Sequence, residues 1–178
     1  MSNEYKDWES DTIAEQKEVV DLYPFLAERD VEGNVALDSH FPMMCLEIPD
    51  GWYELFFQMC EEIKDALKAK SLLNEFYFIQ IKEKYGELVC YANRHVDEVE
   101  DIIAKYSEMS RYICMACGRI ARYTTKGHIV PMCDGCLQEK GATGSHPAYS
   151  EITSDSIAQV FAKYEDTWKR YLKVIQLD

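Results

Sequence analysis

Apolar residues recur at helical spacing along much of the chain. The clearest pattern begins after Asp50, which is placed to cap the N-terminus of a helix. Its core-facing stripe has the three- and four-residue spacings of an amphipathic helix and consists of Trp52, Leu55, Phe56, Met59, Cys60, Ile63 and Leu67. A further helix is predicted over residues 11–29, although Pro24 must distort or end it. Its apolar face comprises Ile13, Val19, Val20, Leu22, Tyr23 and Leu26.

Two more helical patterns follow later in the chain. Asn93 or His95 leads into the first, whose apolar positions are Val96, Val99, Ile102, Ile103 and Tyr106. Ser154 or Asp155 is placed to cap the second. Its stripe is Ile157, Val160, Phe161, Tyr164, Trp168, Tyr171, Leu172 and Ile175. So long an apolar face is expected to pack on the rest of the protein or on a second chain.

Between these helices the pattern changes to that of short strands. Residues 76–82 are rich in aromatic and β-branched side chains, and residues 87–91 form a second apolar run after the Tyr85-Gly86 breaker. Together they predict a β-hairpin. Residues 30–49 are rich in turn formers and are expected to wrap the surface with Phe41, Met43 and Cys45 tucked in. Residues 141–150 are expected to form a loop because they contain Gly, Ser and Pro.

These elements predict an α+β fold. Residues 1–110 would form an acidic body of helix, hairpin and helix, and residues 111–141 a zinc-binding module inserted after it. Residues 142–178 would supply a loop and a C-terminal helix that packs on the body. At 178 residues the chain is long enough to bury a core without disulfide staples, and 47% of its residues are hydrophobic.

The net charge of −13 is unevenly distributed. Residues 1–110, the acidic body, hold 10 Lys and Arg against 25 Asp and Glu, a net charge of −15. Residues 111–140 hold 5 against 2, a net charge of +3. Because a strongly acidic surface repels phosphate, the acidic body is not expected to bind nucleic acid.

The opening residues and the cysteine usage indicate a reducing compartment. Residues 1–11 carry five charged side chains and lack the apolar run of a secretory signal, which predicts a cytoplasmic protein. No run of residues reaches the eighteen apolar positions of a membrane span, so no membrane partner is expected. The seven cysteines are therefore interpreted as thiols and metal ligands rather than as a disulfide framework.

Two Cys-x-x-Cys pairs carry the most specific chemistry in the chain. Cys114 and Cys117 are followed by Gly118, and after fourteen further residues come Cys133 and Cys136. Four thiolates at this spacing surround Zn²⁺ tetrahedrally with Zn–S distances of about 2.3 Å. The prediction is a structural zinc site with these four ligands, because one such pair is weak evidence whereas two in register are strong.

The residues around the ligands leave two architectures open for this segment, here called the cysteine module (residues 111–141). The first architecture is treble-clef-like: a knuckle is followed by a hairpin about Lys126-Gly127 and by a second cysteine pair that begins a short helix. The alternative is a ribbon-like module with two knuckles. His128 is expected not to be a ligand, since four thiolates already close the shell. Cys45, Cys60 and Cys90 lie within apolar patterns and are expected to pack as small hydrophobes.

Several of these motifs together resemble those of a group of small, uncharacterised bacterial and prophage-encoded proteins with a C-terminal zinc motif. The similarity covers residues 41–137 and includes Asp50-Gly51-Trp52, the stretch from Gln80 to Gly86, and both cysteine pairs. In that group the second hairpin strand usually has Arg and Phe where this chain has Val89 and Cys90. The resemblance implies a fold and a phage or bacterial setting, and it supplies no activity.

Three classes of function compete. The favoured hypothesis is a non-enzymatic, zinc-stabilised protein that binds another macromolecule, with a protein as the expected partner and the acidic body as the surface. The simpler alternative is that the acidity only confers solubility. A nucleic-acid-binding regulator is the weaker hypothesis, with Arg119, Arg122 and Lys126 as the candidate phosphate contacts. An enzyme would need a cleft with converging polar groups, and the chain contains none of the common catalytic motifs.

Overall fold

The computed structural model describes residues 13–27, 29, 32–35 and 48–175, and in these ranges helices alternate with short strands. The α+β class predicted from the sequence is therefore confirmed. The helices are α1 (Ile13–Leu22), α2 (Tyr53–Ala69), α3 (Asp97–Ser110), α4 (Asp134–Glu139), α5 (Ser154–Lys163) and α6 (Glu165–Ile175). The strands are β1 (Phe78–Lys84), β2 (Glu87–Ala92), β3 (Tyr123–Thr125), β4 (Pro131–Met132) and β5 (Tyr149–Glu151).

The N-terminal helix is shorter than the apolar pattern predicts. α1 ends at Leu22, and Pro24 opens a separate 3₁₀ turn, Pro24–Leu26, because proline has no amide hydrogen with which to continue the α-helix. Val20, Tyr23 and Leu26 are buried as predicted, whereas Leu22 is 52% exposed. The expected positions of Phe41, Met43 and Cys45 lie outside the described residues.

α2 forms the centre of the core. Every residue of its predicted stripe from Trp52 to Leu67 is fully buried. The prediction that Asp50 caps this helix is wrong, because a 3₁₀ turn, Asp50–Trp52, leads directly into α2 and no side chain caps it. This turn places Gly51 and Trp52 against the cysteine module.

β1 and β2 form the predicted antiparallel hairpin, with Lys84 opposite Glu87. The two residues between them, Tyr85 and Gly86, have φ angles of 54° and 79°, as the common two-residue hairpin turn requires. The carboxylate of Glu83 accepts a hydrogen bond from the amide of Gly86 at 2.7 Å. Glycine adopts a positive φ angle without strain, so Gly86 suits this turn. Tyr85 has a side chain, so its positive φ angle is sterically unfavourable.

α3 packs on the hairpin and bonds to its second strand. The hydroxyl of Ser110 accepts a hydrogen bond from the amide of Leu88 at 2.8 Å, and the hydroxyl of Ser107 donates to the carbonyl of Leu88 at 2.6 Å. These bonds satisfy both main-chain groups of a buried strand residue. They also fix the position of the C-terminal end of α3, from which the cysteine module begins.

The C-terminal stripe forms two helices rather than one. α5 ends where Tyr164 leaves the helical conformation, with φ −127° and ψ 41°, and α6 follows at Glu165. Thr153 is the cap of α5, in place of Ser154 or Asp155, and it accepts a hydrogen bond from the amide of Ser156 at 3.2 Å. Across the break, the Phe161 and Trp168 rings stack with their centroids 4.3 Å apart.

The packing of these helices agrees with the sequence pattern. Val160, Trp168 and Tyr171 are buried and belong to the same core as α2 and α3. The indole of Trp168 donates a hydrogen bond to the carbonyl of Val160 at 3.2 Å, which joins α5 to α6. Of the helices in the described ranges, none has both the length and the apolar character needed for a bilayer crossing.

Candidate metal centre

The first cysteine pair lies in a tight main-chain turn. The carbonyl of Cys114 accepts a hydrogen bond from the amide of Gly118 at 3.0 Å, and the amide of Cys114 donates to the carbonyl of Arg119 at 2.7 Å. Gly118 has a φ angle of 75°, in the left-handed region that glycine tolerates best. Gly118 therefore permits the tight turn that follows the first cysteine pair. We call residues 113–119 the knuckle.

The second pair lies at the start of a short helix. β3 and β4 form an antiparallel pair about the Lys126-Gly127 turn, and Cys133 follows β4 directly as the N-cap of α4. The amide of Cys136, in the first turn of α4, points at the sulfur of Cys133 at 3.5 Å. Leu137 is buried and anchors this helix, which ends before Gly141.

These elements bring the four sulfur atoms together. All four lie within 4.8 Å of one another, and the sulfurs of Cys117 and Cys133 are 3.5 Å apart. A tetrahedral shell with metal–sulfur bonds of about 2.3 Å places its sulfurs roughly 3.8 Å apart, so the observed spacing fits such a shell. The four cysteines are free thiols rather than disulfide partners. The arrangement can hold one metal ion.

The thiols differ in their readiness to lose a proton. Burial by itself raises the pKa of Cys133, but the amide of Cys136 and the neighbouring thiols donate hydrogen bonds to its sulfur, and the net pKa is lowered. Burial raises the pKa of Cys117 to about 11. The pKa of Cys136 is also raised, mainly by burial and by its contact with Cys117. A metal ion would therefore displace protons as it binds.

The knuckle is hydrogen-bonded to residues that lie far from the cysteine module along the chain. The amide of Gly51 donates to the carbonyl of Met115 at 2.9 Å, and the indole of Trp52 donates to the carbonyl of Ile113 at 3.1 Å. On the other side, the hydroxyl of Tyr171 in α6 donates to the carbonyl of Gly118 at 2.6 Å. The knuckle thus lies between the start of α2 and the C-terminal helix.

Gly51 makes the closest of these approaches. A Cβ atom at this position would lie 2.5 Å from the amide nitrogen of Gly118 and 2.8 Å from that of Cys117. From the sequence alone, Asp50-Gly51-Trp52 is recognisable only as part of a resemblance, with no connection to the cysteines. The sequence feature that could have indicated this contact is a glycine at the start of a strongly amphipathic helix, where a residue with a side chain would otherwise be expected.

A strand that the sequence did not predict pairs with the cysteine module from outside it. β5 pairs with β3, so that β4, β3 and β5 form a three-stranded antiparallel sheet in that order. β5 starts within the stretch 141–150, which was expected to be a loop. Edge strands of three residues give too little periodicity to be recognised from sequence.

The remaining candidates of the module lie outside the sulfur cluster. Arg119 and Lys126 are exposed, and Lys126 is in the hairpin turn. The guanidinium of Arg122 is 3.9 Å from the carboxylate of Glu151 on the neighbouring strand. His128 is exposed, and its carbonyl accepts a hydrogen bond from the hydroxyl of Thr125. The metal-ligand grouping found among the described residues contains cysteines only.

Two further cysteines of the described chain belong to the core. Cys60 is fully buried on α2, and Cys90 on β2 is partly buried against the core cluster. Burial raises the pKa of Cys90, with a smaller contribution from the carboxylate of Glu100. A thiol with a raised pKa is a poor nucleophile, so Cys90 is suited to packing, as predicted.

A groove lies between the hairpin turn and the cysteine module, with a volume of about 680 Å³. Its walls include the apolar side chains of Val89, Tyr112, Ile129, Pro131 and Ile152. Two of its charged residues, Arg111 and Glu87, form an ion pair with each other. The other polar residues of its walls include Lys84, Thr124 and Ser156.

A second groove, of about 570 Å³, lies between α2 and α3. Four carboxylates line it, namely those of Glu62, Asp65, Glu98 and Asp101, and we call it the carboxylate groove. All four belong to the acidic body, residues 1–110. The structure adds that they face a common depression.

Glu62 differs from the other three because it is part of a network that joins three helices. Its carboxylate pairs with Lys105 of α3 and Arg170 of α6, and it accepts a hydrogen bond from Tyr106 at 2.9 Å. Burial alone raises the pKa of Glu62, but these donors outweigh it and the net pKa is lowered. Burial, reinforced by the nearby Glu62 carboxylate, raises the pKa of Tyr106.

Comparisons of this chain with protein-family models, with curated proteins and with solved structures found no match.

Proposed function

We propose that the four cysteines bind one Zn²⁺ and that the ion is structural. The sulfur spacing fits a tetrahedral thiolate shell, and such a shell leaves no position for water or substrate. The second pair lies at the start of a helix rather than in a second knuckle, which supports a treble-clef-like module over a ribbon-like one. A structural ion in this position stabilises the module and the knuckle contacts to α2 and α6.

Elemental analysis and thiol labelling test the metal. We expect one Zn²⁺ per chain, and we expect the four module thiols to resist alkylation until a chelator is added. Iron in place of zinc, or a fully folded chain without metal, would contradict this part of the proposal.

We further propose that the protein is non-enzymatic and acts by binding a basic protein through its acidic body. The carboxylate groove is the observation that supports this function. Asp65 and Asp101 are exposed, and within the described residues neither of them forms an ion pair. Unpaired carboxylates on a surface of net charge −15 attract positively charged partners and accelerate their encounter.

A phage or other mobile-element origin is part of the same proposal. It rests on the similarity to bacterial and prophage-encoded proteins described above. A phage protein that occupies the basic surface of a host enzyme does so with carboxylates in the place of phosphates. The setting therefore suits an acidic binding surface.

The nucleic-acid alternative has less support. Of its three candidate contacts, Arg122 already lies near Glu151, and the remaining cations belong to a segment with a net charge of only +3 on a −13 chain. A mobility-shift assay on mixed DNA and RNA at about 50 mM salt gives nucleic acid its best chance, since weak screening strengthens electrostatic binding. We expect no shift. A salt-sensitive complex that is lost on neutralising Arg119, Arg122 and Lys126 would favour the alternative.

Affinity capture from the native host tests the protein-binding function. The wild-type chain is compared with Asp65→Lys/Asp101→Lys, and with Glu18→Lys/Glu139→Lys, which makes the same charge change at exposed positions outside the carboxylate groove. We expect mass spectrometry to find a basic protein with the wild type and the control, and much less of it with the groove variant. Equal capture by all three would contradict the function.

A further inference from the structure

The walls of the carboxylate groove have the spacing of two helix faces. From α2 it is lined by positions 62, 65, 66 and 69, and from α3 by positions 98, 101, 102 and 105. Both sets follow the i, i+3, i+4, i+7 pattern, so each contributes a continuous strip along its helix. The carboxylate groove therefore runs straight between the two helices.

The two helices run antiparallel along this valley. Glu62 pairs with Lys105 at one end, and Lys70 lies 3.4 Å from Glu98 at the other. Tyr164, at the break between α5 and α6, lines the groove and donates to Glu108 at 2.6 Å, which places it at the Glu62 end. The Glu98 end has no such cover among the described residues.

Small and apolar side chains form the floor of the groove, and acids form its rims. Ala66 is buried, Ile102 is partly buried, and Ala69 is exposed at the more open end. Alanine allows another element to approach the α2 backbone closely. Asp65 stands on one rim and Asp101 on the other, and both carboxylates are unpaired within the described chain. An occupant would therefore need a narrow apolar strip flanked by positive charges on both sides.

We propose that the carboxylate groove binds a basic amphipathic helix of the partner protein. This inference rests on the proposed protein-binding function and specifies its surface and its partner. A helix presents apolar residues in one strip with lysines or arginines on either side, which matches the floor and the two rims. Over the eight residues from position 62 to 69, which are separated by seven rises of about 1.5 Å, the walls extend about 10 Å, or two helical turns of contact.

The groove walls favour a helix over an extended chain. α2 and α3 use their main-chain groups in their own hydrogen bonds, so they offer no strand edge for an extended peptide to pair with. A helical occupant satisfies its own main chain and needs only side-chain contacts. A second copy of this chain is disfavoured as occupant because two −13 chains repel each other.

Binding of two synthetic peptides tests the inference. The first is about 18 residues of Leu, Ala and Lys, roughly five helical turns, with the leucines on one face and the lysines beside them. The second has the same composition in a scrambled order that forms no apolar face. Fluorescence anisotropy of labelled peptides gives affinities for the wild type, Asp65→Lys/Asp101→Lys, the Glu18→Lys/Glu139→Lys control, and Ala69→Tyr, which narrows the groove without changing its charge.

We expect the amphipathic peptide to bind, to gain helical circular dichroism on binding, and to bind more tightly than the scrambled peptide. The groove charge variant should lose roughly tenfold in affinity and part of its salt dependence, and Ala69→Tyr should weaken binding while leaving the salt dependence intact. The control should match the wild type. Equal affinity for both peptides would overturn the helix inference while leaving a basic partner in place.

Other outcomes of these experiments would also overturn the inference. If neither peptide binds, the inference is wrong, and the capture experiment above then judges the proposed function separately. Unchanged binding by both groove variants would place the peptide elsewhere and overturn the inference. Sedimentation of the chain alone tests the second-copy occupant: a wild-type dimer that Asp65→Lys/Asp101→Lys converts to a monomer would overturn it as well. Circular dichroism and thermal melting of each variant confirm that it is folded.

Discussion

The two cysteine pairs supply equal numbers of sulfurs but are held in very different ways. The knuckle that carries Cys114 and Cys117 is bonded to α2 through Gly51 and Trp52 and to α6 through Tyr171. The second pair lies on α4, a helix of six residues in which Leu137 is the buried side chain. The first cysteine pair is therefore held by the packed core. The second pair lies in a small layer that has few buried side chains.

This difference indicates what a metal ion contributes on each side. The knuckle would keep much of its position without metal because its carbonyls accept hydrogen bonds from Gly51, Trp52 and Tyr171. In the layer of β3, β4, β5 and α4 the buried side chains are Pro131, Met132 and Leu137, so we expect it to be less stable than the core without metal. In the folded protein the ion would thus act mainly to attach the second pair to a first pair that α2 and α6 already hold.

Removal of one ligand is expected to have the largest effect. Cys133→Ser should abolish metal binding and unfold residues 119–141, since a structural zinc site contributes about 10–16 kcal/mol to such small modules. Hydrogen exchange should rise strongly over this range and less over residues 113–118, which the body still holds. Cys117→Ser should lose the metal as well. Uniform exchange across residues 113–141 in both variants would show that the two pairs are equally dependent on the ion.

Substitution of alanine for a glycine near each cysteine pair is expected to have the next largest effect and to distinguish the two pairs. Gly51→Ala places a methyl group against the knuckle main chain and should destabilise the protein by about 3–5 kcal/mol, because backbone atoms cannot move aside cheaply. Gly135→Ala lies between the second pair, where the nearest atoms are 4.0 Å from a new Cβ. It should be neutral or stabilising by up to about 1 kcal/mol, since alanine is the better helix former. Urea unfolding measures both free energies.

Tyr171→Phe tests the C-terminal side of the knuckle. It removes the hydrogen bond to the buried carbonyl of Gly118 and should cost about 1–3 kcal/mol while leaving the metal content unchanged. Tyr91→Phe is the matched control, because the Tyr91 side chain is 44% exposed and its hydroxyl has no protein partner within the described residues. Similar unfolding free energies for the two variants would mean that α6 does not hold the knuckle.

Glu62→Gln tests the network behind the carboxylate groove through its pH dependence. The pKa of Glu62 is lowered in the folded protein, so its ionised form contributes stability above about pH 4.5, and that stability is lost as the pH falls through the folded pKa. The variant should be less stable by about 1 kcal/mol near pH 7 and should approach the wild type at low pH. Denaturation at several pH values measures the difference, and a constant difference would exclude this role.

His128→Ala should have the smallest effect. The side chain is exposed and lies outside the sulfur cluster, so metal content and melting temperature should match those of the wild type. Elemental analysis decides the point. Loss of metal would show that the second half of the module contains a different ligand set.

Features set by local spacing were predictable from the sequence. The α2 stripe, the hairpin about Tyr85-Gly86 and the closeness of the cysteines each depend on residues a few positions apart or on paired motifs. Helix ends were less predictable, because Asp50 and Ser154 are good caps by residue type while the caps found depend on main-chain geometry. The break at Tyr164 interrupts an unbroken apolar stripe, so periodicity could not reveal it.

Contacts between segments that are distant along the chain could not be predicted from the sequence. The ion pair of Glu62 with Arg170 joins residues 108 positions apart, and the Glu62 side chain looked like any other acid on a solvated helix face. The carboxylate groove depends on the relative placement of α2 and α3, which spacing within either helix does not determine. The zinc and the partner stay predictions for the same reason: charge and ligand type indicate a class of chemistry, and the identity of what binds needs a measurement.

The clamped knuckle also bears on the order in which the chain assembles. Its bonds to the body join Trp52 to Ile113 and Tyr171 to Gly118, which are 61 and 53 positions apart. The cysteines, by contrast, close a segment that runs only from position 114 to 136, and shorter loops close at a lower entropic cost and more quickly. A newly made chain would therefore capture its metal first, as a local event, and dock the finished knuckle between α2 and α6 afterwards in a slower step whose rate does not depend on metal concentration.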